Sequence, residues 1–529
     1  MYAMEKVATD IYTFSRLRED GFTYVDKTDV LYAMASGETG VQFFIARPRR
    51  FGKSLAVSTL KSLFEGRREL FAGLAIEPKW DWSKKWPVLH LDMGTMQYDT
   101  VEELKKSLRD YFSAQAAEQG LTMTIGDDNA LPEIFRGLIR SLAARSADGR
   151  CVVLIDEYDK PLLKALNTPD VIQFRDFFKS FYGVVKYEES KQRFTFITGV
   201  SKFSKVSIFS DLNNLNDWTM DSNAATLFGY THDEVLKFFP ERIHALAESN
   251  GLTDEAAFAE VIKWYDGYRF HHVAEPVINP VSLGLCFQKN EFANYWSKTA
   301  VPTFLIDILK KHPLDFSTID ITDDRLEAYE PDTPDITTLL YQTGYLTIKG
   351  FRQFAATRKY NLGFPNLEVE NSFVTKLVPA YVGLEQARSE SAQLAAAEAL
   401  YSHDVPKFLK ALKAFFANIP YDLTDRQNEQ MWQTIVYVVL RSIGVNVNGE
   451  VKTHDGRIDM VVDLPTDIYI VEFKLDHPAS EAMEQIKGKD YAGKYALSKK
   501  RITLIGISFS SAKRTIVEEL VEELPQAAE

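Results

Sequence analysis

Along the first part of the chain, short apolar runs alternate with longer stretches whose apolar residues recur at helical spacing. The runs are Val41 to Ala46, Val88 to Met93, Cys151 to Ile155 and Phe194 to Thr198. This alternation predicts an α/β domain, a parallel sheet flanked by helices. Val152-Val153-Leu154-Ile155 is apolar on both alternating faces, as a strand covered on both sides requires. It delivers Asp156 and Glu157 to its C-terminal edge, where open parallel sheets bind ligands.

Farther on the pattern becomes helical. Phe228 to Glu234 reads as a helix start, and helical periodicity runs from Val235 to about Asn250 and again from Glu255 to Tyr265. Helical Thr303 to Lys311 and Ile336 to Thr343 precede two strand-like runs, Gly344 to Ile348 and Lys359 to Phe364, separated by a polar turn. Helices followed by a hairpin predict a winged-helix-like module. An Ala-rich helix near Leu394 to Leu400 and another over Val405 to Ala417 open the last domain. Within it, strands Ile458 to Val462 and Ile468 to Val471 flank the turn Leu464-Pro465-Thr466-Asp467.

With 529 residues, the chain exceeds one compact core, and ordinary domain sizes imply roughly three or four units. The predicted division is 1–225, an α/β sheet domain; 226–300, its helical extension; 301–390, the winged-helix-like module; and 391–529, a C-terminal α/β domain. Two cysteines, Cys151 and Cys286, are too few for a disulfide framework and have no metal-ligand spacing. No apolar run approaches the ~18 residues a bilayer requires, so the expectation is a cytoplasmic protein without a membrane partner. Homo-oligomerisation stays open. Net charge of −13 repels nucleic acid overall, yet Gln485 to Arg514 holds Lys487, Lys489, Lys494, Lys499, Lys500, Arg501, Lys513 and Arg514 against the single acid Asp490.

Two constellations carry candidate chemistry. The first is Arg47-Pro48-Arg49-Arg50-Phe51-Gly52-Lys53-Ser54, placed after a strand and before a helix. Arg49, Arg50, Phe51, Gly52, Lys53, Ser54 and Leu55 form the predicted cradle, whose amides at a helix N-terminus hold phosphate oxygens. Lys53 would neutralise the outer phosphates of ATP, and Ser54 would ligate Mg2+. Asp156 would hold the same ion, and Glu157 would polarise the attacking water. The loop departs from the common pattern at Arg47, where glycine is usual, and Pro48 removes one amide donor.

The second constellation is Gly456-Arg457-Ile458-Asp459-Met460 followed by Glu472-Phe473-Lys474, with Glu472 thirteen positions after Asp459. An acid-x-Lys triplet alone is worthless, because Glu77-Pro78-Lys79, Glu103-Leu104-Lys105, Glu189-Ser190-Lys191 and Glu450-Val451-Lys452 also occur. Only Glu472-Phe473-Lys474 ends an apolar strand paired with another acid-bearing strand. Alternation puts Glu472 and Lys474 on one face with Ile468 and Ile470. Asp459 and Glu472 could then share a divalent cation, Mg2+ or Mn2+, while Lys474 activates water or stabilises charge on the attacked phosphate.

Tyr24-Val25-Asp26-Lys27-Thr28, the Arg47 to Ser54 loop, Leu154-Ile155-Asp156-Glu157-Tyr158-Asp159 and Thr198-Gly199-Val200-Ser201-Lys202-Phe203 together resemble the AAA-ATPase-like family of bacterial proteins. Trp264-Tyr265-Asp266-Gly267-Tyr268 and Asn279-Pro280 extend the likeness. The resemblance implies a divergent P-loop ATPase domain joined to a C-terminal PD-(D/E)XK nuclease-superfamily domain with a restriction-endonuclease-like fold. It makes Arg47 a family feature. It also implies site roles for Gln485, on the helix after the hairpin, and for Glu429, on a helix upstream. The function expected is an ATP-binding, ATP-hydrolysing protein with a metal-dependent nuclease domain whose partner is DNA or RNA, with ATP state gating the cut. Two alternatives stand beside it: a nucleotide-controlled interaction switch that binds nucleic acid or protein without cutting, and an ATPase motor whose C-terminal hairpin is structural.

Overall fold

The structure, a computed structural model, describes residues 4–121, 130–166, 168–203, 215–296, 305, 319–329, 331, 335–355, 357–373, 386–416, 436, 447–453, 456–495, 498–513 and 515–525. The chain forms two compact units, one from Met1–Tyr295 with Asp320–Asn366 and the other from Trp296–Ile319 with Leu367–Glu529. Residues 301–390 are thus divided between the two.

The first unit is built on a five-stranded parallel sheet of β1 (Gln42–Ala46), β2 (Val88–Asp92), β3 (Cys151–Asp156), β4 (Gln192–Gly199) and β5 (Asn216–Asp217). Their order is β2-β3-β4-β1-β5. Every position of β1 and β3 is buried, which explains why neither reads as an alternating strand. Helices Lys53–Phe64 and Leu131–Ala143 pack on this sheet. The aromatic stretch after Val171 lies in the core: Phe181 stacks on Phe135 at 5.0 Å and Phe178 on Tyr182 at 5.2 Å.

The helical extension holds His232–Phe238, Pro240–Asn250, Asp254–Tyr265 and Pro280–Lys289. The sequence pattern ran unbroken from Val235 to Asn250, but the structure breaks at Phe239. Pro240 lacks the amide a continuing helix needs, and starts a second helix at its N-terminal turn instead. Residues of the family-like motifs do structural work here. Lys27 pairs with Glu234 at 2.5 Å, and Asn279 caps the helix Pro280–Lys289 by accepting from Val281 N and Ser282 N at 3.0 and 3.1 Å. Gly267 has φ of 100°, and a Cβ there would lie 2.2 Å from Pro365 O, so no other residue fits.

β6 (Ile319–Thr322), β7 (Thr347–Phe354) and β8 (Thr357–Gly363) make a three-stranded sheet in the order β6-β8-β7. The predicted polar turn between two apolar strands is in fact the paired outer half of the β7–β8 hairpin. Its arms are exposed there, so no apolar alternation marks them as strands. Of the predicted helix from Thr303 to Lys311 only Leu305 is described; the rest lies outside the described residues.

The second unit carries a mixed sheet of β9 (Val447–Thr453), β10 (Gly456–Asp463), β11 (Asp467–Leu475), β12 (Arg501–Ser510) and β13 (Thr515–Glu523) in the order β13-β12-β11-β10-β9. β9, β10 and β11 meander antiparallel, β12 runs parallel to β11, and β13 returns antiparallel. The parallel crossover is made by the helix Ala479–Gly488. Tyr469, Val471 and Phe473 pack in one core with residues of the helices Gln386–Tyr401 and Val405–Phe416, whereas Ile468 and Ile470 pack in another with Met483 and Ile486. The alternation expected of β11 is therefore realised.

Candidate functional sites

At the first site, the loop after β1 turns through two left-handed residues, Arg50 with φ of 68° and Gly52 with φ of 94°. Between them Phe51 is buried edge-on against Tyr268 at 4.7 Å and Phe270 at 5.5 Å. Its side chain is an anchor, leaving only its backbone for a ligand. Arg50 donates to Tyr295 O at 3.2 Å, while Arg49 is exposed. Gly52 leads into the helix Lys53–Phe64, where the amides of the first turn, Lys53, Ser54 and Leu55 among them, have no acceptor one turn back.

Arg47 does not face a ligand. It is 1 % exposed, and its guanidinium donates to Ala46 O at 2.9 Å, Thr219 O at 2.6 Å and Ala224 O at 3.0 Å, beneath the ring of Phe270 at 4.3 Å. Burial pulls this guanidinium down to about 10. Arg47 is a clamp joining the end of β1 to the segment after β5. Pro48, the next residue, lies against Gly344, whose φ is 88° and whose added Cβ would stand 2.7 Å from the proline ring.

Lys53 is buried and donates to Arg47 O at 3.0 Å and Pro48 O at 2.9 Å. Burial lowers its ammonium pKa, opposed by Asp156, Asp159 and Glu157. Asp156 closes β3, with Ser54 as a side-chain hydrogen-bond partner, and burial raises its carboxyl. Glu157 takes a left-handed conformation, φ 50°, and pairs with Lys160 at 3.2 Å. Such backbone strain at a polar sheet edge is typical of functional positions. A helix N-terminus, a buried ammonium, and a hydroxyl beside a carboxylate form the donor set that nucleotide phosphates with Mg2+ require.

Three participants escaped the sequence reading. Asp92 ends β2 in register with Asp156, and burial together with the Asp156 charge pushes its carboxyl up to about 6. The signal was present: an acid closing a predicted strand at the same edge. Asp159 is buried and accepts from Val200 N at 3.0 Å and Ser201 N at 2.6 Å, tying the end of β4 to the Asp156 turn. Lys160 also donates to Gly94 O at 2.8 Å. Thr198, at the end of β4, is fully buried with its hydroxyl donating to Ile45 O at 2.7 Å.

At the second site the β10–β11 ladder stops at Met460 opposite Val471. One residue beyond, side chains replace backbone acceptors: Phe473 N donates to Asp459 Oδ2 at 2.9 Å, and Asp459 N donates to Glu472 Oε2 at 3.3 Å. The two carboxylates are thereby drawn to one point between the strands. Glu472 is fully buried, and burial plus the charge of Asp459 push it up to about 8, against the pull of Lys474. Lys474 Nζ lies 3.5 Å from Glu472 Oε1 and donates to Phe473 O at 3.1 Å.

Gln485, from the helix Ala479–Gly488, donates to Glu472 Oε1 and lies 3.3 Å from the Tyr491 hydroxyl. Gly506 of β12, in register with Glu472, lets that helix approach: a Cβ there would sit 2.8 Å from Ala479 O. A pair of acids repelling each other in a buried position fits a divalent cation, which would neutralise both. Among the described residues no three acid, histidine or cysteine side chains converge as a complete metal shell. Glu429, expected nearby, lies outside the described residues.

The basic stretch is less cationic than it reads. Lys487 pairs with Glu522 at 2.5 Å, Lys500 with Asp463 at 2.5 Å and Arg501 with Asp467 at 2.9 Å. It spans a helix end, the 3-10 turn Tyr491–Tyr495 and the start of β12. No helix of the described residues is long and apolar enough to cross a membrane.

A family model described as a predicted AAA-ATPase matches residues 8–209, and one described as the PD-(D/E)XK nuclease superfamily matches residues 427–519. A protein of Azotobacter chroococcum mcd 1, named as an uncharacterized protein in the vnfD 5' region, is 37% identical over 533 residues, covering 98% of this chain and 99% of the relative. No solved structure matches the chain.

Proposed function

Since the chain belongs to the AAA-ATPase-like family and carries a PD-(D/E)XK nuclease-superfamily domain at its C-terminus, we propose that it binds and hydrolyses ATP and cuts nucleic-acid phosphodiesters. One observation carries the nuclease half of this reading. Asp459 and Glu472 meet where their ladder ends, with Lys474 and Gln485 hydrogen-bonded at the same buried point.

Asp459 and Glu472 would hold a divalent cation, Ser54 and Asp156 would hold the Mg2+ of the nucleotide, and each cation, when bound, supplies charge neutralisation at a phosphate. The protein's own groups do the rest. Lys474 places an ammonium beside the scissile phosphate, where it balances growing negative charge and orients water. Gln485 holds Glu472 through one oxygen, leaving the other carboxylate oxygen toward Asp459. In the first unit Lys53 would exchange its two loop carbonyls for phosphate oxygens. Glu157 then orients the attacking water, provided it leaves Lys160. Gating of the cut by ATP belongs to the same proposal, as do a cytoplasmic location and the division into domains.

The test incubates purified protein with single-stranded DNA, duplex DNA and RNA, with Mg2+ or Mn2+, with and without ATP. Asp459→Ala should lose a metal-dependent cleavage product that the parent makes. A parent that binds nucleic acid but never cuts it would favour the interaction switch.

A further inference from the structure

The β7–β8 hairpin carries Lys349, Arg352, Arg358 and Lys359 and no acid between Thr347 and Gly363, in a chain of net charge −13. Its register places Arg352 directly opposite Lys359, Gln353 opposite Arg358, and Phe354 opposite Thr357 at the tip. Side chains directly opposite are in contact range, so the Arg352–Lys359 pair is a repulsion built into the ladder.

Lys359 has a counter-ion in Asp320 at 2.9 Å, and Lys349 donates to Pro365 O at 3.0 Å. Arg352 and Arg358 are exposed and form no ion pair among the described residues, although the Asp320 carboxylate held by Lys359 also attracts Arg352. Phe354 is 60 % exposed. The base of the hairpin is, by contrast, firmly packed: Phe351 stacks on His272 at 3.9 Å, His272 on His271 at 4.3 Å, and Tyr360 is buried. The result is a ribbon packed at its base, with two arginines outside any ion pair and a bare aromatic ring at its end. In the C-terminal basic stretch, Lys487, Lys500 and Arg501 are already held by carboxylates.

We propose that this hairpin is a nucleic-acid contact. Alternation puts Arg352 and Arg358 on opposite faces of the ribbon, where each holds a backbone phosphate, and Phe354 stacks on an unpaired base. A polyanion relieves the Arg352–Lys359 repulsion, and a base covers the ring; single-stranded nucleic acid supplies both. An acidic protein surface would meet the charge but not the ring. The proposal rests on the reading of the chain as one that acts on nucleic acid.

The test measures fluorescence anisotropy of a fluorescein-labelled single-stranded oligonucleotide with the full chain in EDTA over a range of salt. The double variant Arg352→Glu/Arg358→Glu should bind about tenfold or more weakly, and its salt slope should fall by about 1.4, two contacts at roughly 0.7 each. Phe354→Ala should weaken single-strand binding about tenfold and leave duplex binding unaffected. If charge reversal lowers the melting temperature, Arg352→Gln/Arg358→Gln carries the test. Parent-like binding by both double variants overturns the proposal, as does polyglutamate competing as well as the oligonucleotide. Cleavage by the same preparations in Mn2+ separates the two readings. A parent that cuts, with hairpin variants that bind and cut equally, sinks the hairpin alone. A parent that neither binds nor cuts sinks the nucleic-acid reading beneath it.

Discussion

Replacing Arg47 by glycine would restore the first position of the common phosphate-loop signature, and pattern matching would forecast a better ATPase. The structure forecasts the opposite. Arg47 donates three hydrogen bonds from a charged group to Ala46 O, Thr219 O and Ala224 O, each worth about 1.5–3 kcal/mol, or roughly 5–9 kcal/mol together. Against this, burial has lowered the guanidinium to about 10 from 12.5, a desolvation cost of about 3 kcal/mol that truncation relieves. The balance is a loss of about 2–6 kcal/mol, in line with removal of a large buried side chain. In so large a unit this lowers the melting temperature by roughly 3–8 °C. Arg47→Lys should fall between, because one ammonium cannot replace a fork serving three carbonyls. The assay is calorimetric melting paired with ATP hydrolysis at a temperature where both proteins are folded. An Arg47→Gly protein that melts within about 2 °C of the parent, or hydrolyses ATP faster, would refute the clamp.

Lys53→Ala should abolish ATP hydrolysis and change the response of cleavage to ATP; if it cleaves like the parent with and without ATP, the two sites are not coupled. Conversely, Lys474→Ala should lose cleavage while its ATP turnover, followed by phosphate release, stays at the parental rate. Gly506→Ala forces the helix Ala479–Gly488 off β12, since the new methyl would meet Ala479 O at 2.8 Å; we expect a loss of about 1–3 kcal/mol by chemical denaturation and weaker cleavage through displacement of Gln485. Asp159 gives a pH signature. Burial raises its carboxyl from 3.8 to about 6, so the folded state holds a proton that the unfolded chain releases first. Its contribution is fully present below about pH 4 and declines as pH rises to 6, by on the order of 3 kcal/mol. The stability of the parent relative to Asp159→Asn should therefore fall over that window, and a flat difference would show that Asp159 is ionised throughout.

The parts of the molecule legible in the sequence are those where a buried strand delivers a polar residue to an edge. β3 is apolar at every position before Asp156, and β11 is apolar from Ile468 to Val471 before Glu472. The strands and the paired acids follow from that contrast, whereas Gln485 was singled out only through the family resemblance. What escaped depends on which chains meet side by side. Asp92 ends a strand 64 positions before Asp156 and becomes significant only because β2 lies beside β3 in register. Arg47 read only as a departure from the common phosphate-loop pattern because its acceptors, Thr219 O and Ala224 O, lie far along the chain.

Charge follows the same logic and leads to a different surface from the one its clustering advertised. Eight cations within Gln485 to Arg514 form a long basic run, but β13 and the β10–β11 hairpin bring Glu522, Asp463 and Asp467 against three of them. Arg352 and Arg358 sit in a stretch that reads as a polar turn, and there the nearby acid, Asp320, is paired with Lys359, the lysine that the ladder sets opposite Arg352. An unfavourable pairing survives in a stable protein when it costs little or when something else neutralises it. At an exposed hairpin the cost is a few tenths of a kcal/mol to about 1 kcal/mol, too small to unfold anything. It is also small beside the gain from seating even one phosphate between two cations. Salt distinguishes the two explanations: a tolerated repulsion makes the hairpin more stable as ionic strength rises, whereas a phosphate seat loses affinity over the same range.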